Sequence, residues 1–338
     1  MRYLFIMNPG SKSGRSRKQF TKILGILERE KVEFDHVITQ NLNEAYNLSK
    51  MGNNSGYDVI AAVGGDGTIN KVLNGFYDAY GRRVSSAKMG VIYTGTSPDF
   101  CKSYEIPTDI EKAVKAILRG TTKKIQTGMI TLAKSCMKEY EGKPVSDDPV
   151  FVTRYFACCA NIGLGAALAR RANSGIRGVL GDFTGTFIAL LRTLIYYRPQ
   201  DFTICCDGKT NTIRKVHNIS IGRTFYIASG IKLKNALKYG DDSFYCLTVR
   251  NMRAWNLPGI IKNVYSGKQI ITSEVISLDY IKLMDIYGNL QNPEVEFDGD
   301  PAGFLPCRIS MAADDLEVIC ECSSVRHDTP EESIKELV

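Results

Sequence analysis

The segment from Tyr57 to Thr68, with the sequence YDVIAAVGGDGT, holds the residues of this chain that are best suited to phosphate chemistry. Its apolar, β-branched run predicts a buried strand, and the residues after Thr68 have apolar side chains at helical spacing. Glycines at such a junction let the backbone approach a ligand closely, and N–H groups at a helix start attract anions. An acid in this turn, Asp66, makes chemical sense mainly if Mg²⁺ or a reacting hydroxyl lies between it and a phosphate.

Two more loops of small and hydroxyl-bearing residues follow predicted strands. Residues 8–15 read NPGSKSGR, and residues 94–100 read TGTSPDF. The first loop lacks the GKS or GKT ending of a Walker A motif, and either loop alone is more often an ordinary turn. Because ligands of open α/β sheets bind at the carboxyl ends of the strands, three such loops at one edge favour a nucleotide site.

The C-terminal half supplies acids that could complete such a site. Asp298 and Asp300 flank Gly299 at the end of a predicted strand. Two carboxylates on a tight turn can act as a general base with an orienting partner or as metal ligands. An acidic hairpin turn explains the same residues equally well, and residues 240–243 (GDDS) carry a weaker version of the pattern.

The elements that must position these loops change in character along the chain. Strand–helix alternation predicts a doubly wound parallel sheet, and hence an α/β nucleotide-binding domain over residues 1–123. Its predicted strands are 2–7, 33–39, 59–63 and 88–93, and its predicted helices are 17–30, 42–50 and 110–118.

Short runs rich in Thr, Tyr, Ile, Val and Phe dominate after residue 123 and predict an all-β, sandwich-like domain over residues 124–315. We expect two inserted helical stretches, at 165–197 and 254–265, a hairpin loop at 134–149 and a loose acidic tail at 327–338. The predicted strand runs are 125–133, 150–160, 202–207, 213–222, 244–250, 275–287, 294–298 and 306–311.

Composition narrows the classes of partner and compartment. The 338 residues carry 43 − 36 = +7 formal charges, a modest surplus that suits an anionic ligand or surface but not nucleic acid. The spacing of the ten cysteines and three histidines matches neither a disulfide framework nor a zinc site, so we expect reduced thiols. The first ten residues lack the pattern of a signal peptide, and no uncharged run reaches the roughly 20 residues of a membrane span. We therefore expect a cytoplasmic protein that meets a membrane only at its surface.

Taken together, these residues resemble the diacylglycerol kinase catalytic family, which includes the bacterial soluble lipid kinases and their sphingosine and ceramide kinase relatives. The resemblance covers nearly the whole chain. GGDGT is shared with NAD kinases, whereas the loop after the fourth strand and the late Asp-Gly pair are specific to the lipid kinases. The matching residues are Asn8, Pro9, Ser11, Gly14, Thr39, Gly64 to Thr68, Asn70, Gly75, Gly95, Thr96, Asp99, Phe100, Asp298 and Gly299.

The resemblance implies phosphoryl transfer from Mg-ATP to a lipid hydroxyl in a cleft between the two domains, with a last strand at about 316–326 returning to the first domain. The catalytic residues would be Asp300 as the proton acceptor, Asp66 as a magnesium ligand and Asp298 as organiser of the turn. A structural magnesium site maps to Tyr239, Asp242 and Phe244. The ATP contacts map to Asn8, Gly10, Ser11, Lys12, Ser13, Gly14, Thr39, Gly64, Gly65, Asp66, Gly67, Thr68, Asn70 and Thr96.

Four positions depart from the pattern of this family. Lys71, Pro98 and Ser243 stand where the family has Glu, Asn and Gly, and the proton acceptor is Asp300 instead of Glu. Two alternative functions therefore stay open: a weakly catalytic or non-catalytic protein that binds nucleotide or lipid, and a kinase of a soluble substrate such as NAD.

The partner expected from the resemblance is a lipid substrate at the inner membrane surface. Apolar surface in the stretch 176–197, with Arg170, Arg171 and Arg177 nearby, could receive its acyl chains, although ordinary core explains that stretch as well. The sequence names neither the lipid nor the oligomeric state, and it leaves a homodimer open.

Overall fold

The computed structural model describes most of both domains. The described residues are 1–10, 17–95, 98–134, 150–171, 197–227, 231–233, 242–265, 270–288, 294–298 and 300–321.

The N-terminal domain is a six-stranded sheet in the order β2-β1-β3-β4-β18-β5, in which only β5 runs antiparallel to its neighbour. The first four strands along the chain lie within one residue of the predicted ranges, whereas the fifth precedes most of the predicted run 125–133 and the last ends at Ile319 instead of about residue 326. The strands are β1 (Tyr3–Met7), β2 (Phe34–Ile38), β3 (Val59–Gly64), β4 (Lys88–Tyr93), β5 (Thr122–Ile125) and β18 (Leu316–Ile319). The helices are α1 (Arg17–Arg29), α2 (Leu42–Asn54), α3 (Asp66–Asn74), α4 (Asp99–Ser103) and α5 (Ile110–Arg119).

Helices cover both faces of this sheet. Alternate side chains of β1 face opposite ways: Leu4 and Ile6 belong to a core with residues of α2 and α3, and Phe5 lies in a core with residues of α1 and α5. Side-chain caps fix where two helices begin, since the Asn41 side chain accepts a hydrogen bond from the Glu44 N–H and Asp109 caps α5 in the same way. The predicted doubly wound α/β domain is confirmed.

The C-terminal domain is all-β around a closed barrel. Six strands pair in the order β10-β8-β16-β17-β15-β9, and β9 pairs again with β10 to close the ring. Strands β13 and β14 extend from β10, and β6 and β7 extend from β17. The strands are β6 (Gly128–Ala133), β7 (Phe151–Phe156), β8 (Cys159–Gly163), β9 (Gln200–Cys206), β10 (Lys209–Gly222), β13 (Phe244–Arg250), β14 (Ile276–Ile281), β15 (Met284–Tyr287), β16 (Glu294–Phe297) and β17 (Asp300–Met311).

Smaller elements complete this domain. A two-stranded hairpin consists of β11 (Tyr226–Ile227) and β12 (Ile231–Lys232). The helices are α6 (Leu164–Arg171) and α7 (Leu257–Tyr265), and the 3-10 turn Ala254–Asn256 precedes α7. The predicted all-β domain with inserted helices is confirmed. Residues 172–196, 135–149 and 322–338, and with them the predicted acyl-chain stretch, most of the predicted hairpin loop and the acidic tail, lie outside the described residues.

Two connections join the domains. The strand β18 follows β17 and enters the N-terminal sheet between β4 and β5. The second connection is the chain between β5 and β6. The run 125–133, predicted as one strand, divides into β5 in the N-terminal sheet and β6 in the sheet of the barrel. The boundary predicted at residue 123 therefore lies inside β5.

Candidate active site

The helix α3 begins at the carboxyl edge of the parallel sheet, directly after β3. Its N-cap, Gly65, provides no side-chain hydrogen bond to the first turn. A Cβ at Gly64 would lie 2.4 Å from Thr68 Oγ1, so only glycine fits where the strand turns into the helix. This geometry leaves the first N–H groups of α3 directed at the space beyond the sheet edge, where a phosphate would be stabilised.

The loop after β4 approaches this helix start through its own glycine. A Cβ at Gly95 would lie 2.8 Å from Gly65 Cα and 2.6 Å from the Tyr93 hydroxyl oxygen. A backbone hydrogen bond joins the two loops, since the Thr94 N–H donates to the Gly64 carbonyl at 2.8 Å. The two loops therefore pack directly against each other at these glycines, and we call the surface that they form with the start of α3 the phosphate cradle.

The loop after β1 is tied to the same helix. Asn8 Nδ2 donates to Thr68 Oγ1 at 2.8 Å, and Asn8 Oδ1 accepts from the Gly10 N–H at 2.9 Å. Thr39, after β2, is buried, and its N–H donates to the Met7 carbonyl at 2.9 Å. The structure thus brings Asn8, Gly10 and Thr68 together, with Thr39 next along the same edge.

The carboxylate of Asp66 is half-buried beside this cradle. Burial raises the pKa of Asp66 to about 7, the Tyr93 hydroxyl opposes that rise by donating a hydrogen bond, and the negative charges of Asp99 and Asp298 add to it. Tyr93 Oη lies 3.0 Å from Asp66 Oδ2. A cation at this position would favour the ionised carboxylate, so Asp66 fits a place beside Mg²⁺ and a phosphate.

Asp298 joins the two domains by its side chain. Its carboxylate accepts hydrogen bonds from the N–H groups of Ala157 at 3.0 Å and Cys158 at 2.9 Å, in the turn between β7 and β8. It also accepts a hydrogen bond from Asn70 Nδ2, on α3, at 2.9 Å. Burial raises the pKa of Asp298, and the backbone N–H donors oppose that rise. Its φ of 50° is in the left-handed region, so the turn towards Asp300 has a fixed and unusual backbone conformation.

Asn74 strengthens the same junction and was not anticipated from the sequence. Its side chain pairs with both backbone groups of Tyr155 in β7: Nδ2 donates to the carbonyl at 2.8 Å, and Oδ1 accepts the N–H at 2.9 Å. Asn70 Nδ2 donates to the same carbonyl at 2.9 Å. The spacing of Asn70 and Asn74, four residues apart on one helix face, was the available signal.

The remaining predicted residues are placed only in part. Asp300 is the first residue of β17 and pairs with Phe297, which places it just past the Asp298 turn. Lys71 is a half-buried residue of α3, and Pro98 is the N-cap of α4. Seven predicted residues lie outside the described residues: Ser11, Lys12, Ser13, Gly14, Thr96, Tyr239 and Gly299.

Of the three residues predicted for the structural magnesium site, Asp242 and Phe244 lie among the described residues, and Asp242 is the one carboxylate. Asp242 is exposed, and its Oδ1 accepts from Gln126 Nε2 at 2.9 Å. Phe244 is buried, and its ring stacks on Phe156 at a centroid distance of 5.9 Å. Within the described part of the chain, no group of three or more His, Cys, Asp or Glu residues could hold a metal ion. This metal site stays a prediction.

The N-terminal part of the chain matches a known family. Residues 2–130 match the family model described as the diacylglycerol kinase catalytic domain. A Staphylococcus carnosus protein named diacylglycerol kinase is 26% identical over 313 residues, which cover 93% of each protein. A Staphylococcus aureus protein of the same name is 26% identical over 301 residues, which cover 89% of this chain and 86% of that protein.

The fold also has solved counterparts. The crystal structure of a diacylglycerol kinase from Bacillus anthracis superposes with a TM-score of 0.65 at 18% identity, over 96% of this chain and 98% of that one. A second crystal structure from the same organism gives a TM-score of 0.71 at 20% identity over the same shares. At these identities the likeness concerns the fold alone.

Proposed function

Because the chain belongs to the diacylglycerol kinase catalytic domain family, we propose that it is an ATP-dependent lipid kinase. A hydroxyl oxygen of a diacylglycerol-like lipid forms a bond to the γ-phosphorus of ATP, the bond to the bridging oxygen breaks, and ADP leaves. Asp300 accepts the hydroxyl proton. The observation that carries the proposal is the Asn70–Asp298 hydrogen bond of 2.9 Å, because it joins the phosphate cradle to the turn that leads to Asp300.

The ATP phosphates would bind at the cradle formed by the two glycine loops and the start of α3. Gly65 and Gly95 let the two loops pack closely, and the uncapped start of α3 supplies backbone N–H donors. Asn8 holds the loop after β1 against Thr68, at 2.8 Å. Phosphoryl transfer depends chiefly on positioning and charge neutralisation, which these groups provide.

Three carboxylates would bind the metal ion, position the turn and accept the proton. Asp66 borders the cradle and is suited to contact Mg²⁺, directly or through a water molecule. The Mg²⁺ that accompanies ATP would neutralise phosphate charge when bound. The Asp298 carboxylate accepts hydrogen bonds from Ala157, Cys158 and Asn70. We therefore assign it to positioning the turn and not to proton transfer. Asp300, to which the family resemblance assigns the role of proton acceptor, follows two residues later in the chain.

A kinase of a membrane lipid must reach its substrate from the surface of the membrane. Among the described residues, no helix is long and apolar enough to cross a bilayer. As a lipid kinase, the protein would work at the cytoplasmic face of the membrane, where it would take its substrate from the lipid layer.

The experiment is transfer of labelled phosphate from ATP to a panel of purified lipids in mixed micelles. We expect transfer to diacylglycerol or a related neutral lipid, and a loss of at least a hundredfold in Asp66→Asn and Asp300→Asn. Full turnover in both variants would refute the assigned roles. Lys209→Gln, at an exposed position where β9 turns into β10 in the barrel, is the matched control and should keep full turnover.

Two results would point to the alternatives. Calorimetric binding of Mg-ATP without transfer to any lipid would indicate a non-catalytic homologue, an alternative that the sequence departures at Lys71, Pro98 and Ser243 favour. Phosphorylation of NAD by the purified protein would indicate a kinase of a soluble substrate.

A further inference from the structure

The only tryptophan of the chain lies on the surface of the second domain. Trp255, in the 3-10 turn before α7, is 72% exposed, and the guanidinium of Arg253 lies over its ring at 5.1 Å. Ile271 is 73% exposed and is held to α7 by paired hydrogen bonds between its backbone and the Asn263 side chain. Two large apolar side chains, exposed on the turn before α7 and on the loop that α7 holds, make this region a candidate contact surface.

Exposed residues follow helical spacing from Trp255 onward. Pro258, Gly259 and Lys262 are exposed at intervals that place them with Trp255 on one side of the turn and helix. Ile260 packs instead on the core cluster of Tyr245, Leu247 and Ile276. We call the four residues Trp255, Pro258, Gly259 and Lys262 the α7 face; none of these described residues is acidic.

The charge of this region has one sign. Residues 244–273 contain four basic residues and no Asp or Glu, so they carry 4 − 0 = +4 formal charges. An exposed tryptophan with Arg253 over its ring and Lys262 on the same face suits an anionic lipid surface: the indole ring settles at the headgroup level and the cations meet lipid phosphates.

The α7 face is linked structurally to the candidate active site. Helix α7 contacts β12, and the paired strand β11 contacts α4. Helix α4 begins at Asp99, just after the loop that carries Gly95. The hairpin β11–β12 thus connects the exposed tryptophan to the edge of the phosphate cradle.

We infer that the α7 face docks on the anionic surface of a lipid bilayer, with Trp255 inserted at the headgroup level. This inference rests on the proposed function, because a lipid kinase must bring its cleft to a membrane. Docking through α7 would set the cleft beside the lipid layer by way of the β11–β12 hairpin.

The single tryptophan makes the test site-specific. Vesicles of equal parts phosphatidylglycerol and phosphatidylcholine should shift the emission of the wild-type protein to the blue, and brominated lipids should quench it. Trp255→Ala should weaken vesicle binding in a sedimentation assay roughly tenfold. Its turnover on a short-chain substrate dispersed in detergent should equal that of the wild type.

Gly259 offers a matched pair of variants on the same face. No atom lies within 4 Å of a Cβ built at this position, so a side chain extends into open space. Gly259→Lys should strengthen binding to the vesicles roughly fivefold, and Gly259→Glu should weaken it by a similar factor. Melting temperatures at or above that of the wild type would exclude misfolding as the cause.

Three outcomes would overturn the inference. They are absence of vesicle binding, vesicle binding with unchanged tryptophan emission, and an emission that shifts with protein concentration without lipid, which would indicate contact between copies. Docking without phosphoryl transfer would instead refute the proposed function alone. Transfer to the dispersed substrate without docking would refute only the present inference.

Discussion

The side-chain amide of Asn70 donates a hydrogen bond of 2.9 Å to the carboxylate of Asp298, across 228 residues of sequence. One residue lies on the helix that follows the glycine turn, and the other lies in the barrel at the turn before β17. The bond therefore fixes the distance between the phosphate cradle and the turn that leads to Asp300. Asn74 holds the same helix to Tyr155, so side chains from two turns of α3 lock the domains together.

Replacement of Asp298 by alanine should destabilise the protein more than it would if this residue only served catalysis. The backbone N–H groups of Ala157 and Cys158 and the Asn70 amide would lose their acceptor, at a cost of about 3 kcal/mol in the free energy of unfolding. Alanine also tolerates a φ of 50° poorly. Denaturant unfolding measures the effect, and Asp298→Asn, which keeps one oxygen and tolerates that φ, should lose less. Equal midpoints for wild type and Asp298→Ala would contradict the role given to this residue.

Strands β1 to β4 of the N-terminal sheet could be predicted from sequence because their signal is local. The apolar run 88–93 coincides with β4, for example. The helix predicted at 42–50 continues to Asn54, because Asn53 Nδ2 bonds to the carbonyls of Ser49 and Gly75. That stabilisation comes from a tertiary contact with the end of α3, which no local pattern reports.

The residues of the candidate site also fall into those that a local pattern reveals and those that only a tertiary contact reveals. The glycine loops could be recognised because glycine, hydroxyl and acidic residues at strand ends have a local chemical meaning. The contributions of Tyr93 and Asn74 could not, because each depends on a partner that the fold brings near. Asp298 was recognised as part of the site, and its hydrogen bonds specify its role as a link between the domains.

Replacement of Tyr93 by phenylalanine should lower turnover and leave the fold intact. The phenol donates to Asp66 Oδ2 at 3.0 Å and so fixes the orientation of that carboxylate beside the cradle. A hydrogen bond to a charged group of this kind corresponds to roughly tenfold in kcat. Kinetics at saturating Mg-ATP check the loss, with Tyr80→Phe as control because Tyr80 is 76% exposed. An unchanged kcat in Tyr93→Phe would show that Asp66 is positioned without this hydroxyl.

Replacement of Gly95 by alanine should weaken ATP binding by displacing the loops that form the cradle. The added Cβ would lie 2.8 Å from Gly65 Cα, so one of the two loops must move. We expect a loss of roughly tenfold or more in ATP affinity by calorimetry, since a small misplacement at a binding loop is costly. The matched control is Gly25→Ala in α1, where no atom lies within 4 Å of the added Cβ. That variant should bind ATP normally and gain up to about 1 kcal/mol in stability. Normal ATP affinity in Gly95→Ala would place the nucleotide elsewhere.

The buried histidine of the barrel should make the stability of the protein fall in mild acid. His217 is 5% exposed, and its Nδ1 accepts a hydrogen bond from the Met252 N–H at 3.4 Å. Burial lowers the pKa of His217 below its ordinary value of 6.5, so between the two values the unfolded chain binds the proton and the folded chain does not. The stability is therefore complete above about pH 6.5 and declines as the pH falls below it. Urea unfolding at pH 7.5 and 5.5 should show a smaller decline in His217→Gln, whereas His36→Gln, at an exposed histidine, should decline as the wild type does. An identical decline in wild type and His217→Gln would assign the acid sensitivity to other groups.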